Sequence, residues 1–217
     1  MTISVMLTGL LQGLGLSIAI FVLTLIGALP LGIPIAFARM STIAPLRWLA
    51  RAYISIMRGT PLMLQMLAIY FAPYYVFGIE LNSNSKFIAA VVAFILNYAG
   101  YFAEIYRSGL GSIPRGQWEA ADVLGYTRAG AFRRIIFPQV IQRILPATGN
   151  EVITLVKDTS LAFSLGILEM FSIAKAQAAA SASMLPFILA GVIYWVVNFG
   201  VEIALGRIEK RYNYEMV

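Results

Sequence analysis

The stretch MTISVMLTGLLQGLGLSIAIFVLTLIGALPLGIPIAFA, residues Met1–Ala38, contains no charged side chain. A helix needs roughly 20 apolar residues to cross a bilayer, so this stretch is long enough to span one. Across all 217 residues, 60% are hydrophobic and 12% are charged. Soluble domains average roughly 45–50% apolar and about 25% charged residues. The sequence therefore predicts an integral membrane protein.

Apolar runs divide the chain into about five predicted transmembrane helices, which together form one transmembrane domain over residues 1–217. The runs cover residues 7–38, 61–79, 87–106, 145–173 and 184–206. Pro30 and Pro34 predict that the first helix is bent or partly interfacial. Lys157 and Asp158 predict an interruption of the fourth. The predicted fold class is all-α.

Most basic residues fall in segments that share one side of the predicted membrane, and the opposite loops hold only Lys86 and Lys175. The positive-inside rule then places the N-terminus outside and the C-terminus in the cytoplasm. Because the basic residues separate apolar runs, we interpret them as topology signals and predict no nucleic-acid partner. With no cysteine and no histidine, the chain lacks thiolate chemistry and the commonest metal ligands, and no metal site is predicted.

Residues 107–143 form the one long polar stretch, which predicts two short amphipathic helices. Pro114 suits the first turn of one helix, and Gly125 suits the position just past its end. Thr127 suits the cap of a second helix that Pro138 ends. Amphipathicity alone leaves two interpretations open: a helix pair lying on anionic lipid, or a docking element for another protein.

The order of residues in this stretch resembles the conserved loop of ATP-binding-cassette importer permeases. That loop reads Glu-Ala-Ala, three residues, Gly, nine residues, Ile, one residue, Leu-Pro. The chain has Glu119-Ala120-Ala121, Gly125, Ile135 and Pro138 at these positions, with Phe137 in place of the Leu. Further segments are similar to the polar amino acid uptake branch of that family, of the histidine, glutamine and arginine type: residues 58–62, 145–146, 149–150 and 157–161.

The resemblance implies a multi-pass permease subunit in a bacterial cell membrane, paired with a second permease chain that is identical or related. It implies that a cytoplasmic ATP-binding subunit binds ATP and Mg and contacts the loop through Glu119, Ala120, Ala121, Leu124 and Gly125. An extracytoplasmic solute-binding protein would deliver an amino-acid substrate. The chain has no G-x-x-x-x-G-K-[ST] segment, so we expect a transport subunit, not an enzyme, with no cofactor of its own.

Polar side chains recur at three- and four-residue spacing in the fourth run and predict one polar helical face: Asn150, Glu151, Thr154, Lys157 and Asp158. Glu151 has no cation nearby in the sequence, so we predict that it contacts a ligand's ammonium or guanidinium group. The whole face, with Asn150 and Thr154, is the predicted substrate-binding site. For Lys157 and Asp158 two interpretations are open: contact with the ligand, or an internal ion-pair network in which they neutralise each other or reach partners on neighbouring helices, and we favour the network. The carboxylate of Glu151 favours cationic or cystine-like amino acids as the substrate, with neutral or acidic polar amino acids as the alternative.

Other polar residues support this predicted binding site. Thr159 and Ser160 follow the stripe and are expected to satisfy backbone groups where the helix unwinds. Gln65, one turn beyond a predicted Thr60 cap, and Tyr101 are expected to line the substrate path. Glu104 is expected to pair with Arg107.

Two other function classes fit parts of the sequence. Lys157 and Ser160 are spaced as a Ser–Lys nucleophilic dyad, which would make the chain an intramembrane hydrolase. A passive channel or scaffold is the third class, and it would show substrate flux without ATP.

Overall fold

The computed structural model describes residues 2–80 and 82–212, and for Ser83 and Asn84 only the backbone. Within these ranges all regular structure is helical, as the sequence predicts. The helices are α1 Ile3–Met40, α2 Ala44–Gly59, α3 Leu62–Phe77, α4 Ser83–Gly111, α5 Arg115–Val123, α6 Arg128–Ala131, α7 Phe137–Asp158, α8 Met170–Ser181 and α9 Leu185–Tyr212. A π-helical turn, Phe132–Ile136, joins α6 to α7, and a 3-10 segment, Thr159–Leu165, follows α7.

Three of the described helices, α1, α4 and α9, are long and apolar enough to cross a membrane. The pair α2 and α3, bent by 111° at its break, is a fourth if counted as one span. The predicted fourth run is not one helix, because α7 ends at Asp158 and α8 begins only at Met170. The count of five spans and the orientation of the termini stay predictions.

Helix α1 is continuous over 38 residues, with Pro30 and Pro34 inside it. At 1.5 Å per residue it is about 57 Å long, which exceeds the ~30 Å hydrocarbon core, so part of it lies outside the core or the helix is tilted. It packs along α4, and Gly32 lies so close to Phe102 that an added Cβ would be 3.0 Å from the Phe102 Cβ. Neighbouring helices of this kind let a membrane helix tolerate proline without a break.

Helix α4 forms the centre of the core. Its buried face alternates small and aromatic side chains that have no exposed surface: Ala90, Ala93, Phe94, Ala99, Phe102 and Ala103. The alanines let α1, α2, α3 and α7 approach closely, and the rings fill the space between these helices.

Helix α2 was not predicted, because its arginines were interpreted as signals of a basic cytoplasmic connection. It is amphipathic, and it ends at the sharp bend before α3. The expectation that Thr60 caps α3 is wrong. Its hydroxyl instead donates back to the Ile56 carbonyl at 2.8 Å, and Pro61 holds the N-cap position of α3. A proline at the N-cap has no N–H of its own to leave without a partner.

The polar stretch between α4 and α7 contains the predicted helix pair, with one correction. Gly125 has a left-handed φ of 76° just past α5, and Thr127 accepts a hydrogen bond from the Gly130 N–H at 3.2 Å. Pro114, however, lies at the N-cap of α5 and not in its first turn.

Pro138 does not end the second helix, contrary to the prediction. The chain continues from α6 through the π-helical turn into α7, and Phe137 N–H donates to the Phe132 carbonyl five residues back. The wider turn changes the hydrogen-bond register next to the proline, and Pro138 lies in the first turn of α7, where a missing N–H is tolerated.

The chain between the 3-10 segment and α8 turns back against α1. Glu169, which has no exposed surface, caps α8 by accepting 2.7 Å hydrogen bonds from the Phe171 and Ser172 N–H groups. Tyr194 of α9 donates to the same carboxylate at 3.4 Å. The buried carboxyl group is therefore held at a helix N-terminus, where backbone N–H groups bond to its oxygens.

Gly13 of α1 lies directly against the first residue of α8. A Cβ at Gly13 would lie 2.8 Å from the backbone N and Cα of Met170, which cannot move as a side chain tip does. Overpacking of about 1–3 kcal/mol is expected for Gly13→Ala. A chain of this size should then lose at least about 3 °C in melting temperature, measured by thermal denaturation in detergent.

Gly15→Ala is the matched control, because nothing lies within 4 Å of a Cβ at that position. It should leave the melting temperature unchanged or raise it slightly, since alanine favours a helix. Equal melting temperatures for the two variants would show that α1 and α8 do not pack as described.

Candidate functional site

A polar cavity of about 710 Å³ lies between the end of α2, the second half of α4, and α7. Its volume is in the range of small-molecule sites. The lining residues are Arg58, Tyr101, Glu104, Ile105, Ser108, Gly109, Ser112, Arg143, Ile144, Ala147 and Glu151. Two guanidinium groups and two carboxylates therefore face one space.

Three of these four charges have partners within the chain. Glu104 forms an ion pair with Arg107, whose Nε lies 2.9 Å from Oε1, and this confirms the predicted pair. Arg143 donates to the backbone carbonyl of Ser112. Arg58 places its guanidinium over the ring of Tyr101, 5.3 Å from the centroid, which is a cation–π arrangement.

Glu151 is half-buried, and its carboxylate makes no hydrogen bond or ion pair with any residue in the ranges 2–80 and 82–212. The expectation that no cation lies nearby holds only along the sequence. The fold brings Arg58, from the end of α2, into the same cavity. The site thus offers one uncommitted carboxylate together with a guanidinium that contacts only a ring face among the described residues.

The predicted polar stripe of α7 divides between two directions. Glu151 faces the cavity, whereas Asn150 and Lys157 are exposed on the surface of the chain. Thr154 donates to the Asn150 carbonyl at 2.9 Å. Asp158 faces inward and accepts a 2.8 Å hydrogen bond from the Tyr98 hydroxyl.

Lys157 and Asp158 do not pair with each other, but the other expectation, a partner on a neighbouring helix, holds for Asp158, which bonds to Tyr98 of α4. Among the residues that the structure describes, the one ion pair is that of Arg107 with Glu104. Adjacent residues on a helix do not face each other, so Asp158 reaches Tyr98 while Lys157 points away from the core.

The predicted unwinding after Asp158 is confirmed. The Thr159 hydroxyl donates to the Val156 carbonyl at 2.7 Å, and the Ser160 hydroxyl donates to the Lys157 carbonyl at 2.8 Å. Both side chains therefore satisfy backbone groups where α7 changes to the 3-10 segment. The Ser160 proton is directed to a carbonyl oxygen and not to the Lys157 amine, so this geometry gives no support to a Ser–Lys dyad.

Gln65 is not among the residues that line the cavity. Its Nε2 donates to the Thr60 hydroxyl at 2.8 Å and to the Met57 carbonyl at 3.1 Å. Its Oε1 accepts a 3.0 Å bond from buried Asn97, which also donates to Met57. The two amides hold the bend between α2 and α3. Contact of Gln65 with substrate stays a prediction, as it does for the other candidate residues.

The loop helix α5 presents its coupling candidates unequally. Glu119 and Ala120 are exposed. The apolar tip of the loop consists of Val123, which is 87% exposed, and Leu124, which is 72% exposed. Ala121 has no exposed surface. Its small side chain therefore packs inside the loop, and its contact with an ATP-binding subunit stays a prediction.

Sequence reasoning missed Arg58 and Arg143 as cavity residues, because both were interpreted as topology signals. Arg58 begins the segment Arg58–Leu62 that resembles the family, and this was the available signal for a local role. No comparable signal marks Arg143.

The family model described as "Binding-protein-dependent transport system inner membrane component" matches residues 28–214. This chain belongs to that family. Membership confirms the resemblance stated from the loop and its flanking segments, and it makes the chain a membrane permease component of a transport system that depends on a binding protein.

Several relatives in this transport family share most of their length with the chain. The arginine transport system permease protein ArtQ of Bacillus subtilis (strain 168) is 38% identical over 189 residues, covering 87% of this chain and 85% of its own length. The L-cystine transport system permease protein TcyB of the same strain is 36% identical over 201 residues, 92% and 84%. The glutamate/aspartate import permease protein GltK of Escherichia coli O157:H7 is 32% identical over 207 residues, 93% and 92%.

Solved structures of transport systems share the fold. A chain of an amino acid ABC transporter crystallised with histidines superposes with a TM-score of 0.85 at 34% identity, covering 94% of each chain. A chain of the inward-facing MetNI methionine ABC transporter gives a TM-score of 0.74 at 19% identity, which shows the fold alone.

Proposed function

We propose that this permease component imports polar amino acids, with cationic or cystine-like amino acids preferred, in a complex driven by ATP. The carrying observation is the cavity that holds Arg58 together with the carboxylate of Glu151, which has no partner among the residues that the structure describes. A free amino acid carries both an ammonium and a carboxylate, so a site with one group of each sign complements it.

In this proposal Arg58 binds the substrate carboxylate, and Glu151 binds an ammonium or guanidinium group. Arginine pairs well with carboxylates because its donors form a planar fork. Stacking on Tyr101 orients that fork. Charge-assisted hydrogen bonds of this kind are strengthened where water is excluded, as in a cavity between membrane helices.

The preference for a cationic side chain rests on Glu151, and two relatives named for arginine and cystine transport support it. Acidic amino acids are the second candidate. Arg143 and Arg58 both line the cavity, and one relative is named for glutamate and aspartate import. The two candidates differ in which charge of the cavity binds the side chain of the substrate.

Transmission of work from ATP is proposed to run through α5. A cytoplasmic ATPase subunit, which binds ATP and Mg, would contact the exposed tip at Val123 and Leu124 together with Glu119. The continuous helical path from α6 through the π-helical turn to α7 links this loop to Glu151. Movement of the loop would then alternate the cavity between the two sides of the membrane, and it couples only if the ATPase contact differs between states.

A second permease chain, identical or related, is proposed to cover the exposed polar face of α7. Lys157 and Asn150 lie on the surface of the described chain although they belong to the predicted span. A charged side chain inside a membrane span is costly unless it faces another protein group or water.

ATP-driven uptake in proteoliposomes tests this proposal. The chain would be reconstituted with its ATPase and binding protein, and uptake of radiolabelled arginine, cystine, glutamine and glutamate would be compared with and without ATP. We expect ATP-dependent uptake in which arginine or cystine is fastest. Equal flux without ATP would indicate a passive channel, and fastest uptake of glutamate would establish the second candidate.

A further inference from the structure

Pro61 leaves one backbone carbonyl of α2 without its usual partner. In a continuing helix the Met57 carbonyl would accept a hydrogen bond from the N–H of residue 61, but proline has no N–H. An unpaired backbone group away from water is costly, so this carbonyl needs another donor. Two side-chain amides supply it: Asn97 Nδ2 of α4 lies 2.8 Å from the Met57 oxygen, and Gln65 Nε2 of α3 lies 3.1 Å from it.

The two amides also bond to each other, so they act as one unit. Asn97 Nδ2 donates to Gln65 Oε1 at 3.0 Å, and Gln65 Nε2 donates to the Thr60 hydroxyl at 2.8 Å. Asn97 is only 4% exposed, so water competes little for its bonds. Neither amide lines the substrate cavity. Together they fix the last turn of α2 against α4 through the Met57 carbonyl.

Arg58, which the proposed function assigns to the substrate carboxylate, is the residue directly after Met57. Its guanidinium lies 5.3 Å from the centroid of the Tyr101 ring, and Tyr101 is four residues beyond Asn97 on the same face of α4. A Cβ added at Gly100 would lie 3.0 Å from the Met57 Cβ, so the two helices are in close contact here. One face of α4 therefore holds both the backbone beside Arg58 and the far end of its side chain.

The position of the Arg58 backbone matters because its side chain is weakly held. The residue is exposed, and it forms no ion pair with a carboxylate in the ranges 2–80 and 82–212. A free arginine side chain loses much rotamer freedom on binding, and its planar fork pairs with a carboxylate only in the correct orientation.

We propose that Asn97 and Gln65 are positioning residues that set where Arg58 meets the substrate carboxylate, an inference that rests on the proposed function. They act through the Met57 carbonyl, and they determine the preference for a substrate with a free α-carboxylate. The proline of the α2–α3 break is part of this device, because it makes the carbonyl available to the two amides.

Displacement of radiolabelled arginine from the purified permease–ATPase complex tests the proposal, with unlabelled arginine and arginine methyl ester as competitors. For the unaltered chain the ester should require an about tenfold higher concentration, because it has no carboxylate for Arg58. Asn97→Leu keeps the shape of the side chain but removes its donor. Arginine should then bind about tenfold more weakly while the ester is unaffected, so the ester-to-arginine ratio falls to about one. A purely structural role would weaken both competitors alike and preserve the ratio.

Gln65→Met removes the other donor to Met57 and keeps the test informative if Asn97→Leu fails to fold. It should lower the ester-to-arginine ratio by about threefold or more, as expected for the loss of a hydrogen bond. Asn198→Leu is the matched control in α9, because Asn198 Oδ1 accepts no hydrogen bond from the residues that the structure describes. This control should keep the ratio of about ten.

A double variant distinguishes positioning of Arg58 from an independent effect. Arg58→Gln alone should bring the ratio to about one, and the addition of Asn97→Leu should weaken arginine binding no further, because both changes remove the same interaction. Additive losses would overturn the proposal. A ratio of about one for the unaltered chain would show that Arg58 does not bind the carboxylate, and the proposed function would be wrong as well. A full ratio in the unaltered chain, in Asn97→Leu and in Gln65→Met would refute the positioning role alone.

Discussion

Glu151→Gln should lower ATP-driven arginine uptake by about tenfold to a hundredfold. The substitution keeps the size of the side chain but removes the one carboxylate of the cavity that has no partner among the described residues. A hydrogen bond to a charged group contributes about 1.5–3 kcal/mol, and about 1.4 kcal/mol corresponds to tenfold in affinity. Initial uptake rates in proteoliposomes over a range of arginine concentrations measure the effect.

Selectivity distinguishes a binding role for Glu151 from a structural one. Glutamine uptake should fall less than arginine uptake, because the side chain of glutamine carries no cation that Glu151 could bind. Glu202→Gln is the matched control, since Glu202 is an exposed carboxylate of α9 that does not line the cavity. Equal losses for arginine and glutamine would show that Glu151 supports the fold and does not select substrate.

Leu124→Asp should abolish coupling to the ATPase, with at least about a hundredfold loss of affinity for that subunit. Leu124 is 72% exposed at the tip of the loop, so burial against a partner would contribute about 1.5–3 kcal/mol. An aspartate there would also place an unpaired charge in the contact, at a further cost. Binding of the purified ATPase subunit to the permease in detergent gives the affinity, and ATP-driven uptake gives the functional result.

Leu124→Met controls for any damage to the loop. Methionine retains the apolar volume, so it should bind the ATPase almost as well as leucine does. Both variants should keep the melting temperature, because an exposed side chain contributes little to the core. Unaltered ATPase binding by Leu124→Asp would remove the tip of α5 from the coupling surface.

The features that sequence reasoning predicted correctly are those set by local chemistry. Gly125 follows the end of α5 and Thr127 caps the start of α6. Both signals are readable from sequence because a left-handed residue and a hydroxyl cap act within a few residues. The break after Asp158 was visible because charged residues interrupt an apolar run. The pair of Glu104 with Arg107 was predictable from one turn of helix.

The features that escaped prediction depend on distant parts of the chain. Arg58 reaches the cavity only because α2 and α3 meet at a sharp bend, which buried Asn97 of α4 stabilises through Met57. Glu169 lies within a predicted span, and its buried carboxylate is tolerated only because the chain restarts a helix there. No local pattern reveals either arrangement.

Helix continuity was the other source of error. Pro138 was expected to end a helix, and a proline in a soluble context often does. Here the π-helical turn changes the hydrogen-bond register just before the proline, so α6 and α7 form one continuous helical path. In the proposed function, that path is what couples the loop to Glu151.

Competition binding tests the central claim, that Arg58 and Glu151 bind both charges of an amino acid and favour a cationic one. Radiolabelled arginine would be bound to the purified permease–ATPase complex without the binding protein and displaced by arginine, arginine methyl ester or glutamate. Unlabelled arginine should displace the label at a concentration about tenfold lower than either competitor requires. The ester lacks the carboxylate, and glutamate lacks the cationic side chain. Displacement by the ester or by glutamate at the same concentration as arginine would contradict the account.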